Sequence, residues 1–266
     1  MSSPEGRSSL SPRPAQASQT AAATEMPLLS AHGIQVVRDR RTILDVPSIE
    51  IKDGEVLAVI GPNGAGKTTL LSVLSCLEHP TKGEVLHRGN KVTRREVLSV
   101  RRKMAVVFQE PLLLDGTVLE NVMLGMRLRG KGEEGRRSAA EWLERFGIAA
   151  VAGQTRNTLS AGEAQRASLA RAFALEPEIL FMDEPFTAVD VISRRGLIEE
   201  FRQVQRSVRT TTVLITHDFS EVAMLASRVL VLHNGVIQAE GSPDQIEAHE
   251  KWGLLARGGE AGASPI

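Results

Sequence analysis

Two short stretches of this chain place chemistry-bearing side chains at spacings that matter. Gly61-Pro62-Asn63-Gly64-Ala65-Gly66-Lys67-Thr68 fits the pattern G-x-x-x-x-G-K-[ST], after the apolar run 55–60 and before a leucine-rich helical pattern. The glycines let the backbone wrap closely enough for N–H groups to face phosphate oxygens, and a helix opening near Lys67 adds the positive end of its dipole. Lys67 is then placed to reach β- and γ-phosphates, Thr68 to offer a hydroxyl to Mg²⁺, and Thr69 to complete the residues lining the phosphates. In the second stretch, Ile179-Leu180-Phe181-Met182 runs into Asp183-Glu184. A buried strand cannot end in charge without a partner, so Asp183 is a candidate Mg²⁺ ligand. Glu184 beside it is the candidate general base that orients an attacking water. A phosphate loop together with a metal carboxylate and a base points to phosphoryl chemistry.

The elements that must hold these residues can be read in outline. Residues 33–38, 48–51 and 55–60 are short β-rich runs, and 68–77 places Leu70, Leu71, Val73, Leu74 and Leu77 at helical spacing. Residues 104–108 read as a buried strand, and 117–175 as helices broken by the charged, Gly-rich loop 129–137 and by Gly147 and Gly153. Strands return at 179–182 and 212–215, each after a helical pattern, which predicts an α/β fold with a parallel sheet. His233-Asn234-Gly235 between 230–232 and 236–237 is a hairpin signal.

Composition narrows the partners. The 266 residues carry 32 Lys plus Arg against 32 Asp plus Glu, so no global field draws the chain to nucleic acid or anionic lipid. The cluster Arg94, Arg95, Arg101, Arg102 and Lys103 lacks interleaved aromatics and reads as a solvated face. The single cysteine, Cys76, excludes an internal disulfide framework and reads as a small buried residue in a helical run. No apolar run reaches the roughly 18 residues needed to span a bilayer. The Ser/Pro/Ala-rich residues 1–26 read as a disordered tail without the apolar centre of a signal peptide, and 248–266 as a short second tail.

Between the two motifs lies Leu159-Ser160-Ala161-Gly162-Glu163-Ala164-Gln165-Arg166, and after them Thr216-His217-Asp218. In order and spacing the set resembles the ATP-binding cassette family over about Leu28 to Gln245. The resemblance implies a P-loop NTPase domain over 27–247, with a RecA-like parallel-sheet core, an antiparallel β subdomain and an α-helical signature subdomain at about 110–168. It implies ATP and Mg²⁺ as ligands. Ser160, Gly162 and Glu163 would form the signature that meets the γ-phosphate held by a second subunit, so one chain leaves the site incomplete. Gln109 matches the glutamine that senses Mg²⁺ and contacts a membrane partner. Asp190, in Thr187-Ala188-Val189-Asp190, matches the loop that crosses the dimer interface. His217, which alone would read as a strand-end histidine, matches the switch histidine at the γ-phosphate.

The chain departs from the family pattern at Ala161 and Glu163, where glycine and glutamine are usual, and at Val189, where leucine is usual. The aromatic that stacks on adenine is replaced by a region offering Val37 and Arg38. The resemblance implies an ATP-hydrolysing transporter subunit on the cytoplasmic face of the membrane, dimeric when ATP is bound. Its partners would be separate permease subunits and, through them, a solute-binding protein, with no nucleic acid. The stretches around Gln109, Asp183 and His217 are most similar to importer cassettes for oxyanions, polyamines and similar solutes, and Arg166 to Leu175 and Leu112 to Val122, with the short tail, resemble the tungstate and molybdate importer ATPases. Repair ATPases are disfavoured because the span from Lys67 to Ser160 has no room for long coiled coils. Apolar Pro111–Leu114, following Gln109, is the expected docking stretch for the membrane partner.

Overall fold

The structure is a computed structural model that describes residues 26–249. The two tails read from sequence fall outside the described residues over 1–25 and 250–266.

Two sheets carry the molecule. The larger has six strands: β3 (Val56–Ile60), β6 (Met104–Val107), β7 (Ile179–Asp183), β8 (Thr211–Ile215), β9 (Arg228–His233) and β10 (Val236–Gly241), in the order β10-β9-β3-β8-β7-β6. All neighbours are parallel except the β9–β10 hairpin. Every residue of β3 and β8 is buried, as expected of strands covered on both faces. The smaller sheet is antiparallel, in the order β2-β1-β4-β5, from β1 (Leu29–Arg38), β2 (Arg41–Ile51), β4 (Lys82–His87) and β5 (Asn90–Lys91). Helix α1 (Lys67–Leu74) lies in the core cluster shared by both sheets.

A helical layer follows: short α2 (Val97–Arg101), then α3 (Val118–Leu128), α4 (Gly132–Arg145) and α5 (Ala161–Phe173), with α6 (Val191–Val208) behind β7. Two shorter helices, α7 (Phe219–Leu225) and α8 (Pro243–Ala248), complete the chain. The few aromatics are concentrated in this layer. Trp142 stacks on Phe173 at 5.0 Å, Phe173 meets Phe201 at 6.0 Å, and Phe201 meets Phe186 at 6.0 Å. These rings join α4, α5 and α6 to the turn just after β7, which fixes the helical layer against the functional end of the sheet.

Four sequence expectations change. The loop expected over 129–137 ends early, because α4 starts at Gly132 with Glu133 and Glu134 in its first turn, where the dipole favours acids. The helix expected to reach Leu77 stops at Leu74; Cys76 lies past its end with φ of 59° and is buried, and Leu77 is exposed. The strand expected at 48–51 is the end of an eleven-residue strand whose charged residues face solvent, a mixture that masked the pattern. Strands β4 and β5, too polar to read locally, were not expected at all; pairing with β1 creates β4.

Candidate functional site

The phosphate loop follows β3 and opens α1. Gly61 has φ of 154°, and a Cβ there would sit 2.0 Å from the Leu232 carbonyl oxygen, so the loop passes a neighbouring strand too closely for any side chain. Behind the loop the β9–β10 turn acts as a buttress: Gly235 N–H donates to Ala65 O at 2.8 Å, and Asp45 N–H donates to Gly235 O at 2.7 Å. Gly66 precedes α1 in the left-handed region and no side chain caps the helix. The first-turn N–H groups, which a capping side chain would otherwise take up, therefore face the loop cavity.

Lys67 folds back over this loop, its Nζ donating to Gly61 O at 2.8 Å and Pro62 O at 3.1 Å. Burial lowers its pKa, opposed by the nearby carboxylates Glu184 and Asp183. Thr68 Oγ1 donates to Asp183 Oδ2 at 2.8 Å, joining the two motifs across 115 residues. Burial raises the Asp183 pKa, the Thr68 hydrogen bond lowers it, and Glu184 raises it further. Among the described residues no cluster of three or more His, Cys, Asp or Glu is placed to hold a metal by itself. A hydroxyl beside a carboxylate that gains from positive charge is hard-oxygen chemistry, which fits Mg²⁺ shared with phosphate oxygens.

Glu184 sits one residue beyond β7 with φ of 49°, a left-handed conformation uncommon for glutamate. Its backbone N–H is held by Ile215 O at 2.9 Å, and its Oε2 lies 2.7 Å from His217 Nδ1 and 3.2 Å from the Thr187 hydroxyl that donates to it. The parallel register explains the meeting: Asp183 pairs with Ile215, so Glu184 and His217 emerge from the same sheet end. Val107 pairs with Met182 in the same way, which carries exposed Gln109 to that end. Strand carboxyl ends are where open parallel sheets bind ligands. A cleft of about 620 Å³, lined in part by Trp142, Phe173, Pro177 and Thr210, lies at the opposite, strand-entry end and holds none of these groups.

The structure does not bring the signature residues to this loop: neither Ser160 nor Gly162 hydrogen-bonds to residues 61–69. Ser160 caps α5 instead. Its hydroxyl and backbone N–H both reach Glu163 Oε2, at 2.7 and 2.8 Å, while Glu163 N–H donates back to Ser160 Oγ at 3.3 Å. Glu163, expected to face nucleotide, is engaged in this capping box, and the Ser160 backbone hydrogen bond holds its pKa low. Gly162 is buried, and a Cβ there would meet Arg166, whose guanidinium grips Glu200 of α6 through two bonds at 2.8 and 3.1 Å. Asp190 caps α6 through Ile192 and Ser193 N–H. The Arg38 guanidinium, considered for adenine stacking, pairs with Glu78 at 2.5 Å.

The supporting roles of three residues escaped sequence reasoning. Thr187 orients Glu184, Gly235 supports the phosphate loop, and Glu221 of α7 is a buried carboxyl pushed up to about 7, mainly by burial. Only Gly235 had a local signal, the Asn-Gly turn.

A parallel sheet with a lysine-bearing phosphate loop after one strand, an Asp-Glu pair after another and a helical layer beside them defines a P-loop NTPase. The family model described as ABC transporter matches residues 44–187. The chain belongs to the ABC transporter family. It is 39% identical over 213 residues to the sulfate/thiosulfate import ATP-binding protein CysA of Caulobacter vibrioides, and 37% identical over 216 residues to the trimethylamine N-oxide transport system ATP-binding protein TmoW of Ruegeria pomeroyi. Those alignments cover 78% and 79% of this chain but only 62% and 64% of the relatives, so the chain spans less than two thirds of their length. Among solved structures, CbiO1 of Clostridium perfringens, part of the ABC transporter complex CbiONQ, matches with a TM-score of 0.77 at 26% identity, covering 86% of this chain and 94% of that one. The cassette MJ0796, a dimer bound to ADP and Pi in a post-hydrolysis state, matches with a TM-score of 0.72 at 30% identity, covering 81% and 98%.

Proposed function

We propose that the chain binds and hydrolyses ATP as the energy-supplying subunit of an importer, docked peripherally on separate membrane subunits at the cytoplasmic face. The observation that carries this reading is the joined site: Thr68 bonded to Asp183, with Glu184 bonded to His217 at the same sheet end. The phosphate loop N–H groups and Lys67 would hold the β- and γ-phosphates, Lys67 exchanging its bonds to Gly61 and Pro62 carbonyls for phosphate oxygens. Thr68, Asp183 and Gln109 would hold Mg²⁺, which supplies charge neutralisation on the phosphate oxygens when bound. Glu184 accepts the proton of the attacking water, and His217 fixes its carboxylate while facing the γ-phosphate. Ser160 and Gly162 of a second copy complete the site, in keeping with their separation from the phosphate loop within one chain and with the dimer of MJ0796.

Among the described residues no helix is long and apolar enough to cross a membrane, and in this reading solute passes through separate membrane subunits. The sulfate/thiosulfate importers among the relatives support an oxyanion as cargo, and we extend this to the tungstate and molybdate class on the stretches Leu112 to Val122 and Arg166 to Leu175. The test is Glu184→Gln: ATP still binds, sedimentation shows a Mg-ATP-dependent dimer, and turnover falls by roughly 10² to 10⁴, the range for loss of a positioned base. Turnover near the wild-type value would overturn the assignment.

A further inference from the structure

The loop between β6 and α3 is held in an unusual way. Four consecutive backbone carbonyls, Pro111 through Leu114, are all taken by side chains of the helical layer, and none by the sheet. Arg171 of α5 donates to Pro111 O at 2.8 Å and Leu112 O at 2.9 Å. Arg156 donates to Leu113 O at 3.3 Å, and buried Asn121 of α3 donates to Leu114 O at 3.0 Å while accepting from Leu114 N–H at 2.8 Å. Leu112 is held with φ of 45°, a conformation that leucine adopts only under constraint. Leu113 is thereby turned inward, 6% exposed, while Leu112 and Leu114 stand out at 53% and 54%. Phe108, Gln109 and Glu110, exposed and outside any regular element, are all that separate this strap from β6.

The geometry points to Arg171 as a positioning residue that makes residues 111–114 part of the body of α5, so that whatever displaces the exposed leucines moves Ser160 at the head of the same helix and pulls on Gln109 at its joint with the sheet. This deepens the transporter reading and rests on it for what presses on the loop and for the roles of Gln109 and Ser160. Arg171 suits the task because its planar fork can meet two successive carbonyls from a half-buried position, which a lysine cannot do.

The test uses the isolated chain, and its hydrogen-exchange arm reads the loop independently of the transporter reading. In Arg171→Met, amide hydrogen exchange over 110–116 should speed up by about tenfold or more while α5 stays within about threefold of wild type, since local openings are independent of global unfolding. The KM for Mg-ATP should stay within about twofold while kcat falls by about tenfold, because Gln109 loses its fixed anchor but the phosphate loop does not. Arg171→Lys, able to reach one carbonyl, should fall between the two, and it carries the test alone if Arg171→Met does not fold. A loop that exchanges at the wild-type rate, acceleration equal in loop and helix, or a loosened loop with unchanged kcat would each overturn the assignment.

Discussion

The three leucines of the strap allow burial and docking to be separated by single substitutions. Leu113 is 6% exposed within the core cluster that includes Val107, Val118 and Phe173, whereas Leu114, one residue on, is 54% exposed. The sequence had placed all three in one docking stretch, and the structure corrects this for Leu113. Leu113→Ala removes a buried side chain from a packed site, which costs about 2–5 kcal/mol. Leu113→Asp adds the desolvation of a charge and should remove most of a total stability of about 5–15 kcal/mol. Leu114→Asp touches solvent and should stay within about 0.5 kcal/mol of wild type. Urea unfolding of the isolated chain reads this directly. With a slope of about 2.5 kcal/mol/M, Leu113→Ala should lower the midpoint by about 0.8–2 M and Leu114→Asp by less than about 0.2 M. If Leu114 docks the membrane partner, Leu114→Asp should leave ATP turnover of the isolated chain intact and abolish co-purification with the membrane subunits. The same midpoint for Leu113→Ala as for wild type would refute the inward turn, and normal co-purification of Leu114→Asp would refute its docking.

Other outcomes follow from the site. Lys67→Ala should weaken ATP binding, read by calorimetry, and abolish measurable turnover, because Lys67 is the side-chain cation folded into the phosphate loop; unchanged affinity would contradict that role. Glu163→Gln keeps a capping acceptor for Ser160 but removes a negative charge from the helix terminus expected to face a partner's γ-phosphate, so ATP-driven dimerisation should strengthen several-fold by sedimentation, and weaker dimerisation would count against a phosphate-facing terminus. Glu221, buried and raised to about 7 from an ordinary 4.5, binds its proton more tightly folded than unfolded. Its contribution is therefore present at pH 4.5 and lost as pH rises through 7, a swing of about 3 kcal/mol that Glu221→Gln should remove. Equal pH dependence of urea midpoints in the two proteins between pH 5 and 8 would show that Glu221 is not the group responsible.

The phosphate loop and the Asp183-Glu184 strand end were legible in the sequence because their chemistry sits in contiguous residues. A turn that wraps phosphate needs Gly61, Gly64 and Gly66 at fixed spacing, and a fully buried strand shows as an apolar run whatever surrounds it. The α/β class followed from the same local alternation. What depends on partners distant in the chain was not legible. The polar strand β4 exists because β1 pairs with it, and the place of β8 between β3 and β7 is set by packing. Three leucines in a row look alike until Arg171, Arg156 and Asn121, as many as 59 residues away, take their backbone carbonyls and turn Leu113 inward. Glu163 and Ser160 show the same limit at short range: the spacing allows either a capping box or a ligand contact, and only the helix start placed by the fold commits the carboxylate to the cap. Local sequence determines which groups are available and in what order; tertiary contact decides which hydrogen bonds they spend among themselves and which remain for a ligand.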